Sequence, residues 1–276
     1  MKCFYHSEDL DGHCSGAIVK YFHVNCEMIG INYGDEFPWD SIWAEELVLM
    51  VDFSLPPEDM KRLNASCTLV WIDHHKTAID ALKDYAIGGR QKVGLGACAL
   101  VWSFFHAGDL PMAVQLLAEY DVWDHSNENT LPFQYGMRFE ENTYPDNQEL
   151  WVPLFHNGAN ITQVINVGGL LLEYETRQNV KKCKSMAFDS VLGTKQDTYS
   201  AICCNLGMVN SQLFESAYDP TRHDLMIAFC RRKHEWDVSL YSTKEYIDCG
   251  AIAKEFGGGG HVQAAGFRCQ SLPFKW

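Results

Sequence analysis

Five stretches of this chain carry residues that could do chemistry. They are His6-Ser7-Glu8-Asp9-Leu10-Asp11-Gly12, Asp52, Asp73-His74-His75, Asp121-Val122-Trp123-Asp124-His125 and Gly257-Gly258-Gly259-Gly260-His261. Imidazole and carboxylate together suit a transition metal such as manganese, iron or zinc. If one sheet edge gathers the first four stretches, their carboxylates cannot all stay ionised without cations. Two divalent ions about 3.5–4 Å apart would neutralise them and generate a nucleophile for phosphate ester or anhydride hydrolysis. Asp52 is the natural bridge between the two ions. Each stretch alone also has a plainer reading. Asp9 and Asp11 could be solvated turn acids, His6 a hydrogen-bonded core residue, and Asp52 a helix cap. Asp124 or His125 could take the place of Asp121.

Four consecutive glycines, Gly257 to Gly260, can expose successive backbone N–H groups as an anion-binding nest. His261 follows directly and could donate to a phosphate oxygen, while Ala264, Ala265 and Gly266 allow close backbone approach. No Lys-Ser/Thr follows the glycines, which excludes a Walker A loop. A dinucleotide fingerprint needs strand, glycines, helix, whereas here the predicted order is helix, glycines, strand.

These residues fall at the ends of predicted elements. Lys2 to His6 reads as a strand running into the acidic loop, followed by a helix from His13 to Phe22. Strands are predicted over Met28–Tyr33 and Leu47–Phe53, with Asp52 near the end of the latter. Pro56-Pro57 opens a short helix, Glu58 to Leu63. The apolar run Thr68 to Ile72 reads as a buried strand that ends in Asp-His-His. Helices are predicted over Gly94–His106 and Met112–Trp123. Thr130 to Asn147, rich in Pro, Asn and Gly, reads as a loop. Ile161 to Phe188 is a long helical pattern interrupted by Gly168-Gly169. Beyond it come strands over Thr198–Asn205, Asp224–Arg231 and Glu235–Ser242, and helices over Val209–Ala217 and Asp248–Phe256. The expected fold class is α/β in two domains: a parallel, helix-covered sheet, then a smaller α/β domain, joined by a helical linker. The expected boundary is 1–188 and 189–276.

Composition narrows the partners. The net charge of −14 over 276 residues argues against coating long duplex nucleic acid. Residues 1–188 hold 13 Lys/Arg and 26 Asp/Glu, a net of −13, and residues 189–276 hold 9 and 10, a net of −1. The acidic part can hold cations, and the nearly neutral part is the better place for an anion. No apolar run reaches the roughly 18 residues needed to span a bilayer, and the first residues lack a signal-peptide core. Eleven cysteines without a C-x-x-C pair fit reduced thiols in the cytoplasm. They speak against a structural zinc protein.

The set and order of motifs resembles the DHH phosphoesterase superfamily with its DHHA1 domain. Asp-x-Asp-Gly, a strand-end Asp, Asp-His-His, a later Asp and Gly-Gly-Gly-His-x-x-Ala-Ala-Gly span roughly residues 2–268. His-Ser-Glu-Asp-Leu-Asp-Gly and Tyr-Asp-Val-Trp are similar to the nanoRNase B-like oligoribonuclease and RecJ-like phosphodiesterase branch. The resemblance implies a DHH domain (1–188) holding two Mn²⁺ and a DHHA1 substrate domain (189–276). It implies that His6, Asp9 and Asp52 hold one ion, and Asp11, Asp52, His74 and Asp121 the other. His75 would either stand behind the metal ligands or contact phosphate, and Asp73 would orient a histidine. Gly258, Gly259, Gly260 and His261 would contact the nucleotide's phosphate. Two departures stand out. His6 is three residues before Asp9, where many relatives have four, so Glu8 competes for that place. Relatives often carry Ser-Leu/Val-Arg-Ser where this chain has Ser239-Leu240-Tyr241-Ser242, so either Arg231 or Arg232 supplies the charge or the phosphate grip is weaker.

The implied activity is metal-dependent hydrolysis of short single-stranded oligonucleotides or dinucleotides, with Trp123, Tyr135 or Phe139 available to stack on bases. A homodimer is compatible with it, and a membrane partner is not expected. The same chemistry could act instead on phosphoadenosine phosphate, pyrophosphate or polyphosphate. A nucleotide-binding regulator that has lost catalysis is the reading from a different class.

Overall fold

The computed structural model describes residues 1–156 and 158–275. The chain divides into two compact units, Met1–Leu172 and the residues from Glu173 onward.

The first unit is built on five strands: β1 (Lys2–His6), β2 (Glu27–Ile31), β3 (Leu47–Val51), β4 (Thr68–Asp73) and β5 (Gly88–Gln91). Their order is β2-β1-β3-β4-β5 and every pairing is parallel. Alternate residues bury into different clusters. Cys3, Tyr5, Leu49, Val51 and Ile72 pack on one face, while Phe4, Val48, Met50, Leu69 and Trp71 pack on the other. A parallel sheet covered on both faces reads as near-continuous apolar runs, which is why these strands are visible in the sequence. Helices α1 (Leu10–Phe22), α2 (Pro57–Ser66), α3 (Lys76–Leu82), α4 (Ala97–Phe105), α5 (Met112–Asp121), α6 (Thr130–Phe139) and α7 (Gln148–Phe155) complete it. The long helix α8 (Ala159–Met186) crosses the division between the units.

Three expectations are corrected here. The stretch predicted as a loop over 130–147 contains helix α6. Pro132 sits in its first turn, where proline is tolerated. Gly136 is there for close packing, because a Cβ would overlap the carbonyl oxygen of Val164 in α8. Gly168 likewise lets α8 approach Pro132 in α6 and does not interrupt the helix. The division between units falls inside α8 rather than after residue 188. Cys183, late in α8, packs with Ile202, Cys204, Leu213 and Phe214, so the helix's second half belongs to the second unit.

The second unit is a six-stranded mixed sheet. Its strands are β6 (Phe188–Gly193), β7 (Thr198–Cys204), β8 (Leu225–Arg232), β9 (Glu235–Tyr241), β10 (Gly259–Gly260) and β11 (Ala264–Cys269), in the order β10-β11-β9-β8-β7-β6. Helix α9 (Cys249–Glu255) precedes the glycine run. Only a short 3-10 turn, Ser211–Phe214, forms where the sequence predicted a helix over 209–217. Cys203 and Cys204 bury into different clusters on opposite faces of β7. All eleven cysteines are free thiols. Among the described residues no helix is long and apolar enough to cross a membrane.

Candidate metal centre

Register aligns the first three residues of the site. Tyr5 pairs with Val51, and Val51 with Ile72. The next residue on each strand path is therefore His6, Asp52 and Asp73, side by side at the sheet's C-terminal edge. The chain leaves β1 for β2 on one side and returns as β3 on the other. That topological switch point is where open α/β sheets take their ligands, and His6 and Asp52 stand at it.

Asp52 is held in a left-handed conformation, φ +54°. Its N–H still donates to the Ile72 carbonyl, 2.9 Å away, so the strain falls at the end of the ladder. Strain of this kind persists only where surrounding structure imposes it, and it clusters at functional sites. The turn aims the carboxylate into the cluster. Oδ1 lies 3.3 Å from His74 Nε2 and Oδ2 lies 3.7 Å from His6 Nδ1. Oδ2 is buried and finds no hydrogen-bond partner among the described residues.

The acidic loop supplies two more carboxylates with different supports. Asp9 caps α1, its Oδ1 accepting from the Gly12 N–H at 2.8 Å, and its Oδ2 stands 2.7 Å from His6 Nδ1. Gly12 is required there, since a Cβ would overlap the His6 carbonyl oxygen. Asp11 is buried, and its oxygens accept the N–H groups of Ala97 at 2.6 Å and Cys98 at 2.8 Å. Those are the first donors of α4, whose own cap residue is Gly96. Asp11 thus caps a helix far along the chain and complements its dipole. Nothing in the local sequence signals that role.

In Asp73-His74-His75, the first residue organises the other two. Asp73 is buried, and its Oδ1 accepts from the His74 N–H at 2.7 Å, the His75 N–H at 3.2 Å and His75 Nδ1 at 2.7 Å. Its Oδ2 is buried without a partner among the described residues. His74 turns the other way, with Nε2 3.1 Å from Asp121 Oδ2 and 3.9 Å from Asp11 Oδ2. Asp121 is the last residue of α5. Asp124 lies outside this cluster and accepts from the Ser126 N–H, and Glu8 is exposed.

Crowding sets the charges. Burial raises Asp11 most, Asp52 adds to it, and the carboxyl is pushed up to about 7. Burial likewise drives Asp121 well above the usual carboxylate range, with Asp11 and Asp52 contributing. Burial works against charge on His6, but the Asp52 and Asp9 carboxylates outweigh it and hold the imidazole at about 10. His74 is held at about 10 in the same way, by Asp52, Asp11 and Asp121 against burial. Without cations, then, the cluster compensates with protons.

The donor set fits divalent cations. Three groups each offer ligand atoms within 4.8 Å of one another: His6, Asp9 and Asp52; Asp11, His74 and Asp121; and Asp52, Asp73, His74 and His75. His6 Nδ1, Asp52 Oδ2 and Asp73 Oδ2 are all buried without an aligned hydrogen bond. Imidazole and carboxylate oxygens aimed at common points suit manganese and its neighbours.

In the second unit the glycines do other work. Gly257, φ +84°, ends α9, with the Gly257 N–H donating to Lys254 and the Gly258 N–H to Ala253. This is the Schellman pattern. The His261 N–H donates to Ala264. The expected run of free N–H donors is therefore corrected: Gly257, Gly258 and His261 spend theirs on the helix stop and the turn. A Cβ on Gly258 would overlap Gly266, and one on Gly260, φ +142°, would meet Ala265, whereas Gly259 is open. Ser239, Gly266 and Gly259 form a row of small residues across β9, β11 and β10. Beside it lies a hollow of about 420 Å³ lined by Asp237, Ser239, Gly257, Gly258, Phe267 and Arg268. Arg232 pairs with Asp237 at 2.8 Å, and Arg268 flanks the same carboxylate at 2.9 Å. His261 is exposed. The Tyr241 hydroxyl, where relatives often carry arginine, donates to the Val209 carbonyl.

No protein-family model matches the chain. It is similar to uncharacterized protein R106 of Acanthamoeba polyphaga mimivirus, 28% identical over 251 residues. That match covers 83% of this chain and 55% of R106, so the chain spans about half the length of the relative. Three solved structures share its architecture. A pGpG-specific phosphodiesterase from Vibrio cholerae aligns over 97% of this chain and 92% of its own, with 11% identity and a TM-score of 0.57. The DHH domain of a protein assigned to a family of ribosomal proteins aligns over 96% and 81%, with 14% identity and a TM-score of 0.57. The chain shares the fold of these two structures, the second of which is named for its DHH domain. An exopolyphosphatase-related protein from Bacteroides fragilis shares that fold too, with 14% identity over 98% of this chain and 87% of its own and a TM-score of 0.53. In the first unit, sequence reading gave no role to Tyr33. Its ring lies 5.7 Å from that of His6 and 4.7 Å from that of Phe53. An aromatic just beyond a short strand gives no sequence signal of its own.

Proposed function

We propose that this chain is a metal-dependent phosphodiesterase that hydrolyses short single-stranded oligonucleotides or dinucleotides to mononucleotides. The observation that carries the reading is the convergence of His6, Asp9, Asp11, Asp52, His74 and Asp121 at the β1/β3 edge, where His6 Nδ1 and Asp52 Oδ2 are buried without an aligned hydrogen bond among the described residues. His6, Asp9 and Asp52 would hold one divalent ion. Asp11, His74 and Asp121, with Asp52 beside His74, would hold the second, and Mn²⁺ is the metal we favour. Two such ions, when bound, supply charge neutralisation and a nucleophile at neutral pH.

The chain's own residues do the rest. Asp52 is fixed by its strained turn between the two ligand groups. Asp11 is fixed by the two N–H groups of α4. Asp73 holds His75 with Nδ1 donating and favours a second proton on Nε2. A ring so held can donate from Nε2 to a phosphate oxygen. The net charge of −14 favours small ligands over long polymers. The Vibrio neighbour is named for a linear dinucleotide, which supports testing that class first.

The test is an activity panel on metal-free protein with Mn²⁺ added back. It compares two-to-five-nucleotide RNA, linear and cyclic dinucleotides, phosphoadenosine phosphate, pyrophosphate and polyphosphate. Mononucleotide release from the short RNA or the linear dinucleotide is the expected result. Preference for an inorganic substrate would replace this substrate class, and no turnover on any of them would remove the enzyme reading.

A further inference from the structure

Two exposed aromatic surfaces flank the carboxylate cluster of the first unit, one at each ligand group. Tyr33 borders the group of His6, Asp9 and Asp52. Its ring packs 4.7 Å from Phe53 and 5.7 Å from His6, yet 56% of the residue stays exposed. An aromatic seated on an apolar ring and next to a metal-ligand candidate presents a free π face to whatever the cluster binds.

The second surface follows directly on Asp121. Trp123 has φ +60°, a conformation that a bulky side chain adopts only when the surroundings impose it. Glycine would hold that turn without strain. The turn brings Trp123 onto His125, centroids 4.4 Å apart, and His125 stacks in turn on Tyr120 at 5.8 Å. Trp123 nevertheless remains 39% exposed. The Nε2 of His125 is buried with no hydrogen-bond partner among the described residues, so the cluster carries an unspent polar atom as well as a ring. Arg138 lies 5.3 Å over the Tyr120 ring and donates to its hydroxyl, which places a cation at the same surface of an otherwise acidic unit. Exposed aromatics with a cation alongside are how proteins bind single-stranded nucleic acid without reading its sequence.

We propose that the first unit grips its substrate by two nucleobases, one stacked on Tyr33 beside His6 and the other on Trp123 beyond Asp121. The proposal rests on the phosphodiesterase reading and sharpens it. A substrate with a base on each side of the scissile phosphate uses both surfaces, and an inorganic polyphosphate uses neither. Stacking needs only a π face, so purines and pyrimidines are both accepted, with purines held more firmly.

The experiment pairs variants with altered substrates. Trp123→Gly removes the ring and relieves the strained turn, so it keeps the fold. Tyr33→Leu keeps an apolar contact on Phe53 without a π face. Trp123→Phe and Tyr33→Phe retain a ring. Each is assayed with Mn²⁺ on an intact dinucleotide and on analogues lacking the 5′ or the 3′ base, and kcat/KM forms a cycle between ring and base. Removing the matching base is expected to cost the wild type about tenfold more than it costs Trp123→Gly or Tyr33→Leu, with the change in KM. The phenylalanine variants retain a π face and should retain the abasic penalty of the wild type. Equal abasic penalties in wild type and variants would overturn the proposal, even with full activity on dinucleotides. If the wild type turns over no dinucleotide, the phosphodiesterase reading fails separately. The same cycle is then read from dissociation constants for the dinucleotide, and equal penalties there overturn the stacking.

Discussion

Asp11 caps a helix that begins 86 residues later: its Oδ2 accepts from the Ala97 N–H and its Oδ1 from the Cys98 N–H, at 2.6 and 2.8 Å. One carboxylate is therefore asked both to hold α4 and to face His74 and Asp121. The two roles separate by substitution. In metal-free protein, Asp11→Ala should lose about 1–2 kcal/mol, the usual loss for removing a helix cap. Asp11→Asn keeps an acceptor and removes a crowded charge, so it should unfold within about 1 kcal/mol of wild type. Both should abolish Mn²⁺-dependent turnover. Urea unfolding of the two metal-free variants, beside their activities, checks this. An Asp11→Asn protein as unstable as Asp11→Ala would sink the separation.

Asp52 should decide whether the cluster binds metal at all. Without cations, Asp11 and Asp121 crowd it and are pushed toward protonation. Mn²⁺ at a hundredfold excess over its dissociation constant should stabilise the folded chain by about 2.7 kcal/mol. For a chain of this size that raises Tm by about 5–10 °C. Asp52→Ala should lose most of that rise together with phosphodiester hydrolysis. Thermal scans with and without Mn²⁺ give the answer, and near wild-type turnover in Asp52→Ala would remove the two-ion assignment.

The sequence made the ends of β1, β3 and β4 readable because those strands are buried on both faces and each stops at a polar residue. Parallel pairing then leaves one outcome for His6, Asp52 and Asp73, a row on one edge. What it hid depended on contacts distant in the chain. The capping of α4 by Asp11 and the approach of Tyr33 to His6 leave no local trace. Pro132 and Gly136 carry loop-like composition, yet Gly136 is small because α8 passes close by. The glycine run misled for a related reason. Its residue types suit a phosphate nest, but Gly257 and Gly258 donate to the end of α9.

The same run yields a prediction that separates structure from ligand binding. A Cβ at Gly258 would overlap the Gly266 carbonyl oxygen across the sheet, while at Gly259 it would meet open space. Gly258→Ala should therefore destabilise the second unit by about 1–3 kcal/mol, the scale of overpacking. Gly259→Ala should leave stability within about 0.5 kcal/mol, as surface substitutions do. Any functional effect of Gly259→Ala should then appear in KM, as loss of ground-state binding. Unfolding curves for the two variants, with KM on the preferred substrate, test both halves. Equal stability of the two would contradict the close approach of Gly258 to Gly266.

Acid should act on the second unit through Asp224. Its Oδ2 accepts from the Ser200 N–H at 3.0 Å and from the Ser200 hydroxyl at 2.8 Å, and its Oδ1 pairs with Lys244 at 2.7 Å. Burial works to raise this carboxyl, but Lys244 and Ser200 outweigh it and hold it below the usual range. A folded-state value below the unfolded one, about 3.9, contributes stability that is fully present above that pH. The contribution fades as pH falls through the folded-state value. Asp224 is partly exposed, so solvent screening limits it to about 1 kcal/mol. Asp224→Asn should be about that much less stable than wild type at pH 7. The gap should begin to narrow below about pH 4, where the carboxyl of the unfolded chain takes up its proton, and close as pH falls through the lower folded-state value. Denaturant unfolding of both proteins from pH 7 into acid below the folded-state value measures the gap. A difference that persists unchanged into acid would assign the loss to the shape of the side chain rather than to its charge.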